Sequence, residues 1–203
     1  MLLLSYFCNW MGIIKTAAIK VYGLRMKINK VMSIGRIITN TNNIKPITSI
    51  YNITVQTIEG KEILLEHFRG KKLLIVNTAS ECGYTPQYAQ LQEMSVEFKD
   101  TLFILGVPSN DFGEQEPLDD NGVKQFCEVR YGVTFPLTKK YNVVGKAKTD
   151  LYQWLSDKNQ NGWNNQQPEW NFYKYLVDEN GTLMGVYSQH VEPFADEILK
   201  HIE

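Results

Sequence analysis

A chain of 203 residues, 43% apolar and 21% charged, is long enough for one domain with a substantial core. Its net charge of −1 argues against a nucleic-acid binder, which needs a basic excess to meet phosphates. Cys8, Cys82 and Cys127 are too few and too scattered for a disulfide framework, and no Cys or His pair has zinc-ligand spacing.

Met1 to Ile14 is uncharged and mostly apolar, but Lys15 interrupts it short of the ~20 residues a membrane helix needs. Nothing basic precedes the run, as a secretory signal requires, and Thr16-Ala17-Ala18 only weakly imitates a cleavage site. Met26 and Met32 offer internal starts. Residues 1–48 are read as an extension, poorly ordered or targeting, whose last part (33–48, rich in Asn, Thr and Ile) is a linker. The domain proper is expected over 49–203. A cytoplasmic location is expected, with export or anchoring through the apolar segment as the alternative.

From Ile50 to Ile58 the chain is rich in Ile, Thr and Val and partly alternates, which predicts a strand. Glu59-Gly60 is a turn, and Glu62 to Leu65 a short second strand. Lys72 to Asn77 is an apolar run that predicts a buried strand. Thr85-Pro86 has the residues of a helix start, Thr as cap and Pro at the first position. Tyr88, Leu91, Met94, Ser95 and Phe98 follow at helical spacing, and Thr101 to Val107 is another buried strand. Strand, helix and strand in this compass make a βαβ unit with a parallel pair.

Asp119 to Tyr131 predicts a second helix with Val123, Phe126, Cys127 and Arg130 on one face, and Leu151 to Ser156 belongs to a third. Lys158 to Glu169 is rich in Asn and Gln and reads as a loop. Phe172 to Val177 and Thr182 to Tyr187 flank Asp178-Glu179-Asn180-Gly181, a strong hairpin signal. Pro193 opens a final helix with Phe194, Ile198, Leu199 and Ile202. The order fits an α/β, thioredoxin-like fold: a central mixed β-sheet flanked by helices, with an extra N-terminal β-hairpin.

Cys82 falls between a buried strand and a helix N-terminus, at the carboxyl end of a parallel strand. Free backbone N–H groups and the helix dipole there favour thiolate, the nucleophilic form. By position alone a buried structural cysteine is an equal reading. Gln115 alone reads as a surface loop residue, Trp170 as core, Asn171 as a turn residue, and His67, His190 and His201 as isolated surface or core histidines.

The segment NTASECGYTPQYAQLQEM (77–94) resembles the peroxidatic motif of glutathione peroxidases, and GVPSNDFGEQEP (106–117) resembles their second signature. FCEVRYGVTFP (126–136) and WNFYKYLVDENG (170–181) match two further blocks in the family's order, so the resemblance runs over about 50–203. It implies a catalytic tetrad at Cys82, Gln115, Trp170 and Asn171. Amide and indole N–H donors suit that chemistry, because they stabilise a thiolate and the charge that develops on a leaving oxygen. Cys127, 45 positions after Cys82, matches the resolving cysteine of thioredoxin-dependent members. It also lies on the apolar face of its helix, where a structural role is the alternative. Ser109, Asp111 and Glu114 depart from common family residues, and Glu81, Asp111, Glu114 and Glu116 are expected to make the rim of the site acidic and to disfavour glutathione.

The resemblance implies a thiol peroxidase that reduces hydrogen peroxide and organic or lipid hydroperoxides, in response to oxidative stress, through a Cys82 sulfenic acid. No metal, haem or flavin is expected, and no nucleic-acid partner. The external reductant is expected to be thioredoxin or a similar dithiol protein, with glutathione as the alternative, and the protein is expected to be a monomer. Rival readings are a directly glutathione-dependent enzyme, a peroxide sensor that oxidises a partner, and a thioredoxin-like binding module.

Overall fold

Two apolar runs set the centre of the molecule: β4 (Lys72–Thr78) and β5 (Leu102–Pro108) pair in parallel, from Lys72 against Leu102 to Thr78 against Pro108. A right-handed crossover is the expected connection for such a pair, and α1 (Gln87–Glu97) supplies it, burying Tyr88, Leu91 and Met94. β6 (Lys174–Val177) runs antiparallel to β4 on its other side, and β7 (Leu183–Tyr187) antiparallel to β6. The computed structural model describes residues 35–202. Cys8, and the signal, anchor and internal-start readings for 1–34, lie outside them. Among the described residues no helix is long and apolar enough to cross a membrane.

Strand alternation divides the core between the two faces of the five-stranded sheet, whose order is β1 (Ile37–Thr39), β7, β6, β4, β5. Leu74 and Val76 of β4 and Leu176 of β6 face one side. They meet Tyr88, Leu91 and Met94 of α1, and Val123 and Cys127 of α2 (Asp120–Tyr131). Leu73 and Ile75, with Tyr175 and Val177, face the other side against Leu151, Tyr152, Trp154 and Leu155 around α3 (Asp150–Leu155). α2 is closed at both ends, by the Asp119 carboxylate accepting from Gly122 N and by Gly132 in the left-handed conformation. Val123 and Cys127 are buried as expected, whereas Arg130 is exposed.

Several expectations need correction. The linker reading of 33–48 fails from residue 35 onward: β1 (Ile37–Thr39) pairs with β7, Ile37 opposite Tyr187. Sheet edges carry unpaired backbone groups that a neighbouring segment can satisfy. Asn40 then holds the chain, its amide donating to Ile44 O and Leu183 O, and Trp154 Nε1 donates to Thr48 O. The stretch placed outside the domain is thus part of its fold. Ile50 to Ile58 is not one strand. It forms a 3-10 turn at Ile50–Asn52, then β2 (Thr54–Gln56), which pairs with β3 (Glu62–Leu64) as the separate N-terminal hairpin. Ile50 and Tyr51 are both buried, so consecutive side chains point inward and alternation is lost.

Thr85 does not cap α1. Its hydroxyl accepts from Cys82 N at 3.0 Å and donates to Ala79 O at 2.9 Å, and i→i+3 turns lead into a helix that begins only at Gln87. Lys158 to Glu169 is not loop throughout, since α4 (Lys158–Asn161) opens it. Its polar composition serves the interior: the buried Asn161 and Asn164 amides donate to Trp154 O and Leu155 O. The last helix, α5, is confined to Asp196–Leu199.

The β6–β7 hairpin depends on Gly181, which lies at φ +84 under the ring of Tyr51. A Cβ there would stand 2.8 Å from Tyr51 Cε2. Gly181→Ala therefore meets both backbone strain and a clash and should cost about 1–3 kcal/mol. Urea unfolding should show a lower midpoint, and an unchanged one would refute this account of the turn.

Candidate active site

Cys82 lies in the turns between β4 and α1, 7% exposed, with exposed Glu81 and Gly83 on either side. The backbone N–H of Tyr84 points at its sulfur, with N to Sγ 3.5 Å. The Thr85 hydroxyl pins the turn from beneath. Cys82 falls between a buried strand and a helix as expected, but the donor that reaches the sulfur belongs to the turn before the helix and not to the helix N-terminus.

Gln115 is brought beside this turn by its backbone, whose carbonyl accepts from Glu81 N at 2.9 Å. The loop that carries it bends through Gly113 at φ +61 and Glu114 at φ +55. Glu114 thus holds a left-handed conformation that suits glycine better. Asn171 is fully buried, and its Nδ2 donates to Gln115 Oε1 at 3.1 Å. The Trp170 ring lies over the same loop, its Cη2 3.5 Å from where a Cβ of Gly113 would be, and 6.0 Å from the Phe112 ring between centroids. Three of the four expected residues thus converge, and the fourth is tied to them through one backbone hydrogen bond.

The donors are oriented. Because Gln115 Oε1 is taken by Asn171, the Nε2 end of the amide is turned the other way. Trp154 and Trp163 give their indole N–H groups to carbonyls. Among the described residues that of Trp170 has no such partner.

Asn77 was not anticipated. From the end of β4 its Nδ2 donates to Trp170 O at 3.0 Å and its Oδ1 accepts from Tyr173 N at 3.0 Å, while its backbone carbonyl accepts from Phe172 N. The local signal, a buried polar residue ending an apolar strand, was present, but its partners are more than ninety positions away.

The expected acidic rim is smaller than the sequence suggests. Asp111 accepts from Val143 N, Val144 N and the Asn142 amide, so it closes a loop. Glu116 is fully buried, receives the Ser80 hydroxyl at 2.9 Å, and is pushed above the usual carboxylate range by burial. Only Glu81 and Glu114 stand exposed at the rim.

Cys127 is in the core at 0% exposure, beside Tyr88, and both cysteines are free thiols. Burial pushes its thiol up to about 11, the Tyr88 hydroxyl acting in the opposite sense.

A family model described as glutathione peroxidase matches residues 50–156. The chain belongs to the glutathione peroxidase family. A Bacillus subtilis relative named glutathione peroxidase homolog BsaA is 43% identical over 158 residues, 76% of this chain and 99% of its own. A Synechocystis relative named hydroperoxy fatty acid reductase is 42% identical over 161 residues, 76% of this chain and 94% of its own. A solved structure described as Trgpx in apo form superposes with a TM-score of 0.59 at 32% identity, over 77% of this chain and 96% of that one. The protein is accordingly a hydroperoxide-reducing thiol peroxidase with a thioredoxin-like fold that draws on an external thiol reductant.

The burial of Cys127 has a measurable consequence. Its folded value lies above that of a free thiol, so its protonated form is favoured at neutral pH, and this contribution to stability is lost as pH rises from the ordinary thiol range through about 11. At pH 8, iodoacetamide should modify Cys82 in the native protein and react with Cys127 at least about a hundredfold more slowly than with an exposed thiol. Peptide mapping with equal labelling of both would contradict the buried state.

Proposed function

We propose that Cys82 is the peroxidatic sulfur and that Gln115, Trp170 and Asn171 supply and orient the donors around it. The observation that carries this reading is the chain of bonds from Glu81 N to Gln115 O and from Asn171 Nδ2 to Gln115 Oε1. It ties the Gln115 and Asn171 amides to the residue that precedes a sulfur already receiving one backbone N–H, and the Trp170 ring lies over the same Gln115 loop. The Cys82 thiolate attacks one peroxide oxygen, the O–O bond breaks, and the leaving hydroxide or alkoxide takes up a proton, leaving Cys82 as a sulfenic acid. Donors aimed at the leaving oxygen stabilise its charge as it develops. No metal, haem or flavin enters this scheme, because every step balances with the chain's sulfur and an external thiol.

Cys82→Ser should abolish peroxide reduction with the fold intact. Gln115→Ala and Trp170→Phe should each slow sulfenate formation by roughly ten- to a thousandfold, the range for losing one oriented donor. Stopped-flow measurement is the check: unchanged rates in both would remove the proposed roles, and activity in Cys82→Ser would remove the central one.

For the second half of the cycle we assign Cys127 as the resolving thiol. It condenses with the sulfenic acid, releases water and leaves a Cys82–Cys127 disulfide, which an external dithiol reduces by exchange. Cys127 is buried on α2, so α2 unwinds to bring it out. Thioredoxin, or a similar dithiol protein, suits such a disulfide better than glutathione, because its second thiol attacks intramolecularly at high effective concentration. Charge at the rim adds to this through Glu81 and Glu114 alone. The segment 158–169 is folded back on its own core by Asn161, Asn164 and Trp163, which favours a monomer. The name of the Synechocystis relative supports organic hydroperoxides as substrates.

Steady-state peroxide consumption with thioredoxin and with glutathione, side by side, tests the assignment. Thioredoxin should be strongly preferred. Cys127→Ser should lose thioredoxin-dependent turnover while still consuming one equivalent of peroxide. Full turnover of that variant with glutathione would return Cys127 to a structural role.

A further inference from the structure

Three residues beyond Asn171, Lys174 begins β6 with 0% exposure. By strand alternation it faces the same side as Leu176, and its neighbours across the sheet are Val76 and Tyr187, both in the apolar core. It forms no ion pair with an acid among the described residues; Glu192 acts on it only at longer range. Burial pulls its amine down to about 7. A lysine in such a place costs stability that a length-matched apolar side chain would not. Packing alone therefore does not account for it.

What Lys174 does make is one hydrogen bond, from Nζ to Phe172 O at 2.9 Å. Phe172 is the bend of the segment that carries Trp170 and Asn171, and it sits at φ +66. A non-glycine residue in the left-handed region costs about 1–2 kcal/mol and persists only where its surroundings over-determine it. Asn77 takes Trp170 O, Phe172 N and Tyr173 N, and the Phe172 ring is held edge-on by Tyr88 at 5.4 Å. The Phe172 carbonyl is the group Asn77 does not bind, and Lys174 takes it.

We propose that Lys174 is a positioning residue of the peroxidatic site: through Phe172 O it locks the left-handed bend that sets Trp170 over the Gly113 turn and Asn171 against Gln115. The inference rests on the reading of Trp170 and Asn171 given above.

The test is Lys174→Met in the full chain, which keeps the length and removes the donor. With 5-fluorotryptophan in place of the four tryptophans, Trp170→Phe assigns the Trp170 fluorine resonance. In Lys174→Met that resonance should move or broaden while those of Trp154 and Trp163 stay in place. Sulfenate formation at Cys82 should fall roughly tenfold or more. Thermal unfolding should hold its midpoint or rise. A Trp170 resonance that does not move, or a peroxide rate within about twofold of the parent, overturns the proposal. So does a Met variant that fails to fold, since the lysine would then serve the fold and not the site. If Trp170→Phe itself leaves the peroxide step unchanged, the role of Trp170 fails instead, and the two failures are told apart.

Discussion

Asn77 ties the end of β4 to the segment 170–173 with its side-chain amide, its side-chain carbonyl and its backbone carbonyl. A buried amide left without partners costs about 1–3 kcal/mol, so full use of these groups makes the juncture a defined one. The same strand, two residues further on, runs into the turn that holds Cys82. One residue thus brings the sulfur and the Trp-Asn pair into a common frame, and Gln115 joins it through the hydrogen bond to Glu81 N. Strain is admitted at two places in this frame, Glu114 and Phe172, both in loops that carry side chains of the site. That fits the general pattern in which costly backbone conformations gather where geometry matters for function.

The two described thiols differ by environment rather than by sequence neighbourhood. Cys82 is in a turn, near solvent, with a backbone donor at its sulfur. Cys127 is one helical turn beyond Val123 on the inner face of α2, against Tyr88, where burial holds its proton. In the proposed cycle attack on peroxide needs a thiolate at Cys82, whereas Cys127, as the proposed resolving thiol, gains from staying protonated until the sulfenic acid forms. The sheet separates these conditions by placing one sulfur at its carboxyl edge and the other under a helix on its face.

Elements with an unbroken local signature were legible in the chain: the apolar runs of β4 and β5, the spacing of Tyr88, Leu91 and Met94, the helix that ends at Tyr131, and the turn at Gly181. Those that depend on a distant partner were not. β1 is a strand because β7 has a free edge. Thr85 looks like a helix cap yet binds the Cys82 turn, and Asp111 looks like a rim charge yet closes the 142–144 loop. Glu116 is indistinguishable by type from Glu114, but one is buried on Ser80 and the other exposed.

The sequence by itself determined the alternation of strand and helix, the position of Cys82 after a buried parallel strand and, through four ordered motif blocks, the family and the residues expected around the sulfur. Those features are written in spacing and residue type, which survive without a partner. Only the tertiary structure decided that Asn171 orients Gln115, that Asn77 and Lys174 hold the bend between Trp170 and β6, and that Cys127 is sealed in the core. Each is a contact or a burial between segments far apart in the chain. Hydrogen-bond geometry and the loss of water around a group come into being only when those segments meet.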